Sequence, residues 1–537
     1  MLLNANKQEW KHFLNAAEVF WQKNLPAPTD DGVIYVEAFH QDLRVTLRNL
    51  AVANAIRKIR PAKLIVFTGV EEAWAKTLWQ GFDVATMREF TEAYGASETI
   101  DVWDIVRRSD ATPSFDVSEN IRATDARLAK LPRLRQDPPA DRVRYGNALA
   151  AYYEQQFRAN NVVALVTSHV DYDQWGLAVD VARRERIPVI HTQQTGCLKA
   201  YALFPEHDTH TETFRGELTR QIGEVFETQV WPRREKLRPV TELIAWRAKV
   251  NLGRPSWWRG GTNASVDLNN PAERALLRSH TAARFGFDLE RPIVAVFNHA
   301  VSDALGTNRE LFPTLADWFT ETAAWAAGRE DTQWLFLDHP SQRLYDSTDF
   351  FDQLAKQHKK SKHMVFRPSA TLSKNALWSL TDLGVTVRGS VSNELPAYGI
   401  PVIQAGWSEW SSCGLSTVVD SADAYFKTLD SSITAVRDRV ALVTEEQVQR
   451  ARLWLWLYRS GSDVVTPQVP QWEVWPANTL LKTMRATFRH IESDADPLFE
   501  TVERMWTRRE PMLTRSDLSG VPAIAPAEVP RTPAEIS

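Results

Sequence analysis

Cysteine is nearly missing from this chain of 537 residues: Cys197 and Cys413 are the only two, and they lie far apart in sequence. That excludes a disulfide framework and a cysteine-based zinc site, and fits a reducing compartment. Long apolar runs are missing too. No stretch approaches the ~18 apolar residues of a membrane-spanning helix, and the N-terminal MLLNANKQEWKHFLNAAEVFWQ is amphipathic without the apolar centre of a signal peptide. A net charge of −4 gives no global basic field, so nothing in the bulk charge argues for nucleic acid. No internal repeat is evident.

What the chain does have is the composition of a globular protein, 44% hydrophobic and 24% charged, at a length that implies two or more domains. Its 21 tryptophans include several in helix-like segments such as LWLWLYR (453–459). They read as packing residues, with docking on a membrane surface or a glycan chain as the alternative.

Short β-branched runs alternate with helix-period segments. GVIYVEAFH (32–40) and KLIVFTG (63–69) flank a helix, as do VVALVTSH (162–169) and PVIHTQ (188–193). The pattern restarts at PIVAVFNH (292–299) and continues through TQWLFLDHP (332–340), MVFRPS (364–369), LGVTV (383–387) and PVIQA (401–405). Segments 109–145 and 205–285 hold no clear strand, NLGRPSWWRGGTN (251–263) reads as a surface loop, and 445–460 and 471–510 read as helices. The fold class is α/β: two doubly wound Rossmann-like domains with helices at the C-terminus. The expected division is an N-terminal domain over 1–285, a C-terminal domain over 286–465, helices packing back over 466–515, and a disordered tail over 516–537.

In open α/β sheets, ligands bind beyond the carboxyl ends of the strands. In the second half those ends carry Asn298, His299, Ser302 and Asp303; Asp338, His339, Pro340 and Ser341; Arg367, Pro368 and Ser369; and Arg388, Gly389, Ser390, Ser392 and Glu394. Each alone is as readily a cap or a solvated group; placed at successive strand ends, they point to one shared site. The Gly-Ser turn before a short helix suits an anion, and Glu394 suits sugar hydroxyls, which together suggest a nucleotide-sugar site. In the first half, Ser168, His169, Asp171, Tyr172 and Asp173 follow a strand, as does HTQQTG (191–196). Asp171 or Asp173 either caps the next helix or faces a cleft and holds an acceptor.

Two α/β halves with His339-Pro340 on one strand end, and GSVS plus Glu394 on a later one, resemble GT-B glycosyltransferases. The stretch from FNHAVSDALG through WLFLDHPS to GVTVRGSVSNELPAYGIPVIQAG looks most like bacterial capsule and O-antigen transferases of the β-Kdo type, which use CMP-activated acidic sugars. The resemblance covers about 290–420 and is looser before it. It implies a GT-B cleft between the domains and transfer of an acidic sugar, Kdo, from CMP to a surface polysaccharide or glycolipid, with retention.

The resemblance implies Asp303 as nucleophile; Asp171 is the second candidate, as an acceptor-side base. His339 would bind the phosphate or ribose and, if protonated, assist departure. His299, Pro340, Ser341, Gly389, Ser390 and Ser392 would hold the nucleotide, Glu394 its ribose or the turn, and Arg388 a carboxylate of the donor sugar. His169, Tyr172 and Asp173 would meet the acceptor. A CMP-sugar has one phosphate, and the single Asp-x-Asp at a strand end, DYD (171–173), falls in the acceptor half, so no metal or other cofactor is expected. The expected partners are a nucleotide-sugar and a glycan or glycolipid, with no nucleic acid. The expected place is the cytoplasm, including the cytoplasmic face of the inner membrane. The rivals are a UDP- or GDP-sugar donor, an inactive glycan-binding partner of the same fold, and an epimerase.

Overall fold

The computed structural model describes residues 6–29, 32–76, 82–193, 197–246, 268–469, 477–491 and 495–519. The expected loop at 251–263, most of the expected tail, Gln194-Thr195-Gly196 and the start of the expected 471–510 helix lie outside them.

Two six-stranded sheets organise the chain. The first contains β1 (Val33–Glu37), β2 (Lys63–Thr68), β3 (Glu98–Asp101), β4 (Val162–Thr167), β5 (Val189–Thr192) and β6 (Ala200–Leu203), in the order β3-β2-β1-β4-β5-β6. All pair in parallel except β6, which runs antiparallel to β5 at the edge. The second contains β7 (Ile293–Phe297), β8 (Gln333–Leu337), β9 (Met364–Arg367), β10 (Leu383–Thr386), β11 (Val402–Gln404) and β12 (Thr417–Val418), in the order β12-β11-β10-β7-β8-β9. Counted from the first strand of each sheet, both orders are 3-2-1-4-5-6, the doubly wound arrangement whose switch point lies between the first and fourth strands. The central strands β1, β7 and β8 are buried along their whole length, which is why they read as unbroken apolar runs.

The halves are one packed body. Ala304, Trp410, Cys413 and Leu415 of the second half belong to the same apolar core as Trp74, Trp103 and Trp175 of the first. Across the same boundary, Ser412 donates to the Thr219 carbonyl at 2.9 Å. After Glu445–Trp456 the chain returns to the first half. Helix Ala477–His490 packs on Lys7–Asn24, and Pro497–Arg508 on Leu43–Ile59. Trp21, Trp74, Trp103, Trp175, Trp318, Trp334 and Trp454 are fully buried, so these tryptophans pack the interior. Among the described residues, no helix is long and apolar enough to cross a membrane.

Candidate functional site

The carboxyl ends of β4 and β7 meet. Tyr172, just past β4, holds a left-handed φ of +69° and opens a π-helical turn, Tyr172–Gly176. Such a backbone is costly for an aromatic residue and persists only where its surroundings enforce it. Here the enforcement comes from the other half. The Tyr172 hydroxyl donates to Asp303 Oδ1 at 2.9 Å and accepts from the Ala304 amide at 2.8 Å. Tyr172 is therefore spent on orienting Asp303, rather than free to meet an acceptor.

Asp303 sits on a loop with three left-handed residues, Ala304 (+48°), Gly306 (+69°) and Asn308 (+53°). Arg388, at the end of β10, clamps this loop. Its guanidinium donates to the carbonyls of Asp303 and Ala304 and to Thr307 Oγ1, and lies 2.9 Å from Glu310 Oε1. That last contact is an attraction of charges without an aligned hydrogen bond, since Glu310 Oε1 accepts none. The expected pairing of Arg388 with a donor carboxylate is thus corrected: its planar fork is buried and already engaged.

His339 lies at the end of β8. The Ser341 amide donates to its Nδ1 at 3.2 Å, which places the ring proton of the neutral form on Nε2. Burial lowers its pKa against the opposing charge of Asp303, which favours the neutral ring, a donor through Nε2, over the protonated one. His299 stacks on it, with ring centroids 5.6 Å apart at 15°. Its pKa is held well below the usual value by burial, then by Arg388 and His339. Pro340 and Ser390 are exposed, with Ser341 and Gly389 half-buried, at the mouth of the same strand ends.

The turn after β10 differs from expectation. Val391–Glu394 is a four-residue helix, too short for a substantial dipole. Ser392 is fully buried; it donates to the Gly389 carbonyl at 2.8 Å and accepts from Trp410 Nε1 at 2.9 Å, so it pins the turn and cannot reach a nucleotide. Glu394 is ion-paired with Lys374 at 2.9 Å and Arg459 at 3.1 Å, which favours its turn-orienting role over ribose binding.

On the first half, Arg215 donates to Asp171 from Nε at 3.2 Å and Nη2 at 2.7 Å, and its Nη1 reaches across to Glu409 at 3.0 Å. Burial alone would raise the Asp171 pKa, but Arg215, with Arg309 and Arg388, holds it far below the usual carboxylate range. A carboxylate so stabilised is a poor proton acceptor, and the expected role as base is corrected. Asp171 makes no side-chain cap either. Asp173 is fully buried and accepts from Trp74 Nε1 (3.0 Å), Arg142 Nη1 (2.5 Å) and the Gln174 amide (2.7 Å), which removes it from acceptor contact. Both aspartates of DYD are thus paired with arginines. His169 is half-buried just past β4, stacked on Trp175 at 4.8 Å beside His40 at 5.0 Å. Behind it, Ser168 donates to the buried Glu37 carboxylate at 2.7 Å.

Reading from sequence missed Arg215, Arg309 and Glu409. Arg309 and Glu310 lie on a short extended segment that bridges antiparallel to Gly406, just past β11. The Leu311 amide donates to the Ala405 carbonyl, and the Trp407 amide to the Arg309 carbonyl. A Cβ on Gly406 would stand 2.2 Å from that carbonyl oxygen. Gly406→Ala is therefore expected to cost about 1–3 kcal/mol in denaturant unfolding. A wild-type midpoint would refute the close packing of this segment.

The histidines predict a pH dependence. His40, His169, His191, His299 and His339 all have pKa values lowered chiefly by burial, His191 to about 4. The unfolded chain binds protons near pH ~6.5 where the folded one does not. Their stabilising contribution is present above that pH and is lost as the pH falls through the folded values. The melting temperature should drop steadily from pH 7 to 4.5, and less so in His169→Gln/His299→Gln. A flat profile would contradict the burial of these rings.

No protein-family model matches the chain, and no curated protein is similar to it in sequence. Solved structures matched to the chain include glycosyltransferases and sugar-nucleotide epimerases. One is a glycosyltransferase from Rickettsia africae, at 10% identity over 86% of this chain and 97% of that one, TM-score 0.28. Another is the β-Kdo 2,4-transferase KpsC of Thermosulfurimonas dismutans, at 13% identity over 56% and 85%, TM-score 0.33. A third is the UDP-GlcNAc 2-epimerase of Methanocaldococcus jannaschii, at 10% over 79% and 98%, TM-score 0.24.

Proposed function

We propose that this chain is a retaining glycosyltransferase that moves an acidic sugar, Kdo, from CMP to a bacterial polysaccharide or glycolipid acceptor, without a metal. One observation carries the reading: the hydroxyl of Tyr172, from the first sheet, fixes the carboxylate of Asp303, from the second, where the two sheets' carboxyl ends meet. A carboxylate oriented across such a cleft suits nucleophilic attack on a sugar.

In the proposed reaction, an Asp303 oxygen bonds to the anomeric carbon as the bond to the CMP phosphate breaks. The electron pair leaves with CMP, and the sugar becomes an ester of Asp303. Nε2–H of His339 donates to the departing phosphate oxygen, which lowers the barrier without proton transfer. The acceptor hydroxyl then enters on the face CMP left. Its proton passes to the CMP phosphate, the ester bond breaks, and Asp303 is free again.

Incubation with CMP-Kdo and no acceptor tests this by intact-mass measurement. The wild-type chain should gain one Kdo residue and Asp303→Asn none. An equal gain in both, or product with inverted configuration, would overturn the mechanism.

A further inference from the structure

Three arginines gather around Asp171 where the two halves meet, and two have carboxylates of their own: Arg215 pairs with Asp171 and Glu409, Arg388 with Glu310. Arg309 is different. It is only 8% exposed. Its Nε donates to Thr307 Oγ1 at 3.0 Å, and among the described residues its two Nη atoms have no hydrogen bond and no ion pair. Its carbonyl accepts from the Trp407 amide, and two residues on the Leu311 amide donates to the Ala405 carbonyl, so the segment that carries it is held in place. It lies near enough to Asp171 and Arg215 of the first half, and to Arg388 of its own, to feel their charges. Burial, then Arg388, then Arg215, lower its pKa to about 10 against the weaker opposing pull of the Asp171 and Glu310 carboxylates, so it stays cationic at neutral pH at a cost that an anion bound to its fork would relieve. A buried guanidinium with a rigid base and an idle fork matches a two-oxygen anion.

We propose that Arg309 is the counter-ion of a substrate oxyanion in the cleft: the carboxylate of the acidic donor sugar or the phosphate that carries it. This deepens the glycosyl-transfer reading and rests on it. Arg309 thereby takes the anion-pairing role that the sequence suggested for Arg388.

The test is calorimetric titration of the wild type, Arg309→Gln and Arg309→Lys with CMP, UDP and free Kdo, with thermal melting to confirm folding. Arg309→Gln should weaken binding of the anion it holds by about 10- to 100-fold, and Arg309→Lys, with charge but no fork, should fall between. Loss of CMP affinity assigns the phosphate. Unchanged CMP affinity with loss of Kdo binding assigns the carboxylate. Unchanged affinities in a folded Arg309→Gln overturn the proposal; if that variant does not fold, unchanged affinities in Arg309→Lys do so. If the wild type prefers UDP, the CMP reading fails while Arg309 is judged on UDP, and a wild type that binds none of the three overturns both.

Discussion

Asp303→Asn should lower turnover by more than ~10²-fold while leaving the fold intact. The substitution keeps the shape of the side chain and its acceptor for the Tyr172 hydroxyl, but an amide is no nucleophile. Binding of the donor should change little, because Asp303 acts on the reacting carbon rather than on the nucleotide. Steady-state kinetics with CMP-Kdo separate the two parameters. A lower kcat at similar KM is the predicted result, and near wild-type turnover would remove Asp303 from the chemistry. Tyr172→Phe should follow in weaker form, since it frees the carboxylate to rotate without destroying it.

Arg388→Met should destabilise the protein by about 3–5 kcal/mol in denaturant unfolding. Arg388 and Glu310 are both buried, and removal of the cation leaves Glu310 with an unpaired charge. It also frees the carbonyls of Asp303 and Ala304, in a loop whose left-handed residues need holding. Pairing the change with Glu310→Leu should recover a large part of the loss, because the stranded charge is gone. No recovery would mean that the clamp on the loop, not the ion pair, dominates. A wild-type midpoint in the single variant would refute the buried pair.

The central strands were legible because burial on both faces leaves β-branched and apolar runs that no helix period explains. The edges were not. Glu98–Asp101 is polar at three of its four residues, Ala200–Leu203 has four residues with no alternation, and Thr417–Val418 has two exposed ones. Each is a strand through its neighbour's hydrogen bonds rather than its own pattern. The site divides in the same way. Strand ends told where polar groups would gather, and Asp303, His299 and His339 do gather. Which groups are free was illegible, since it depends on distant partners: Trp410 occupies Ser392, Arg142 occupies Asp173, and Glu310 occupies Arg388. Arg309 gave no local signal at all, because its place is set by the bridge of its neighbour Glu310 to Gly406, nearly a hundred residues on.

The donor is the claim on which the rest depends. Titration of the purified chain with CMP, UDP and GDP, each with Mg²⁺ and with a chelator, tests it directly and needs no acceptor. The account predicts selective CMP binding that the chelator leaves unchanged. Preference for UDP or GDP, dependence on Mg²⁺, or no nucleotide binding would contradict it.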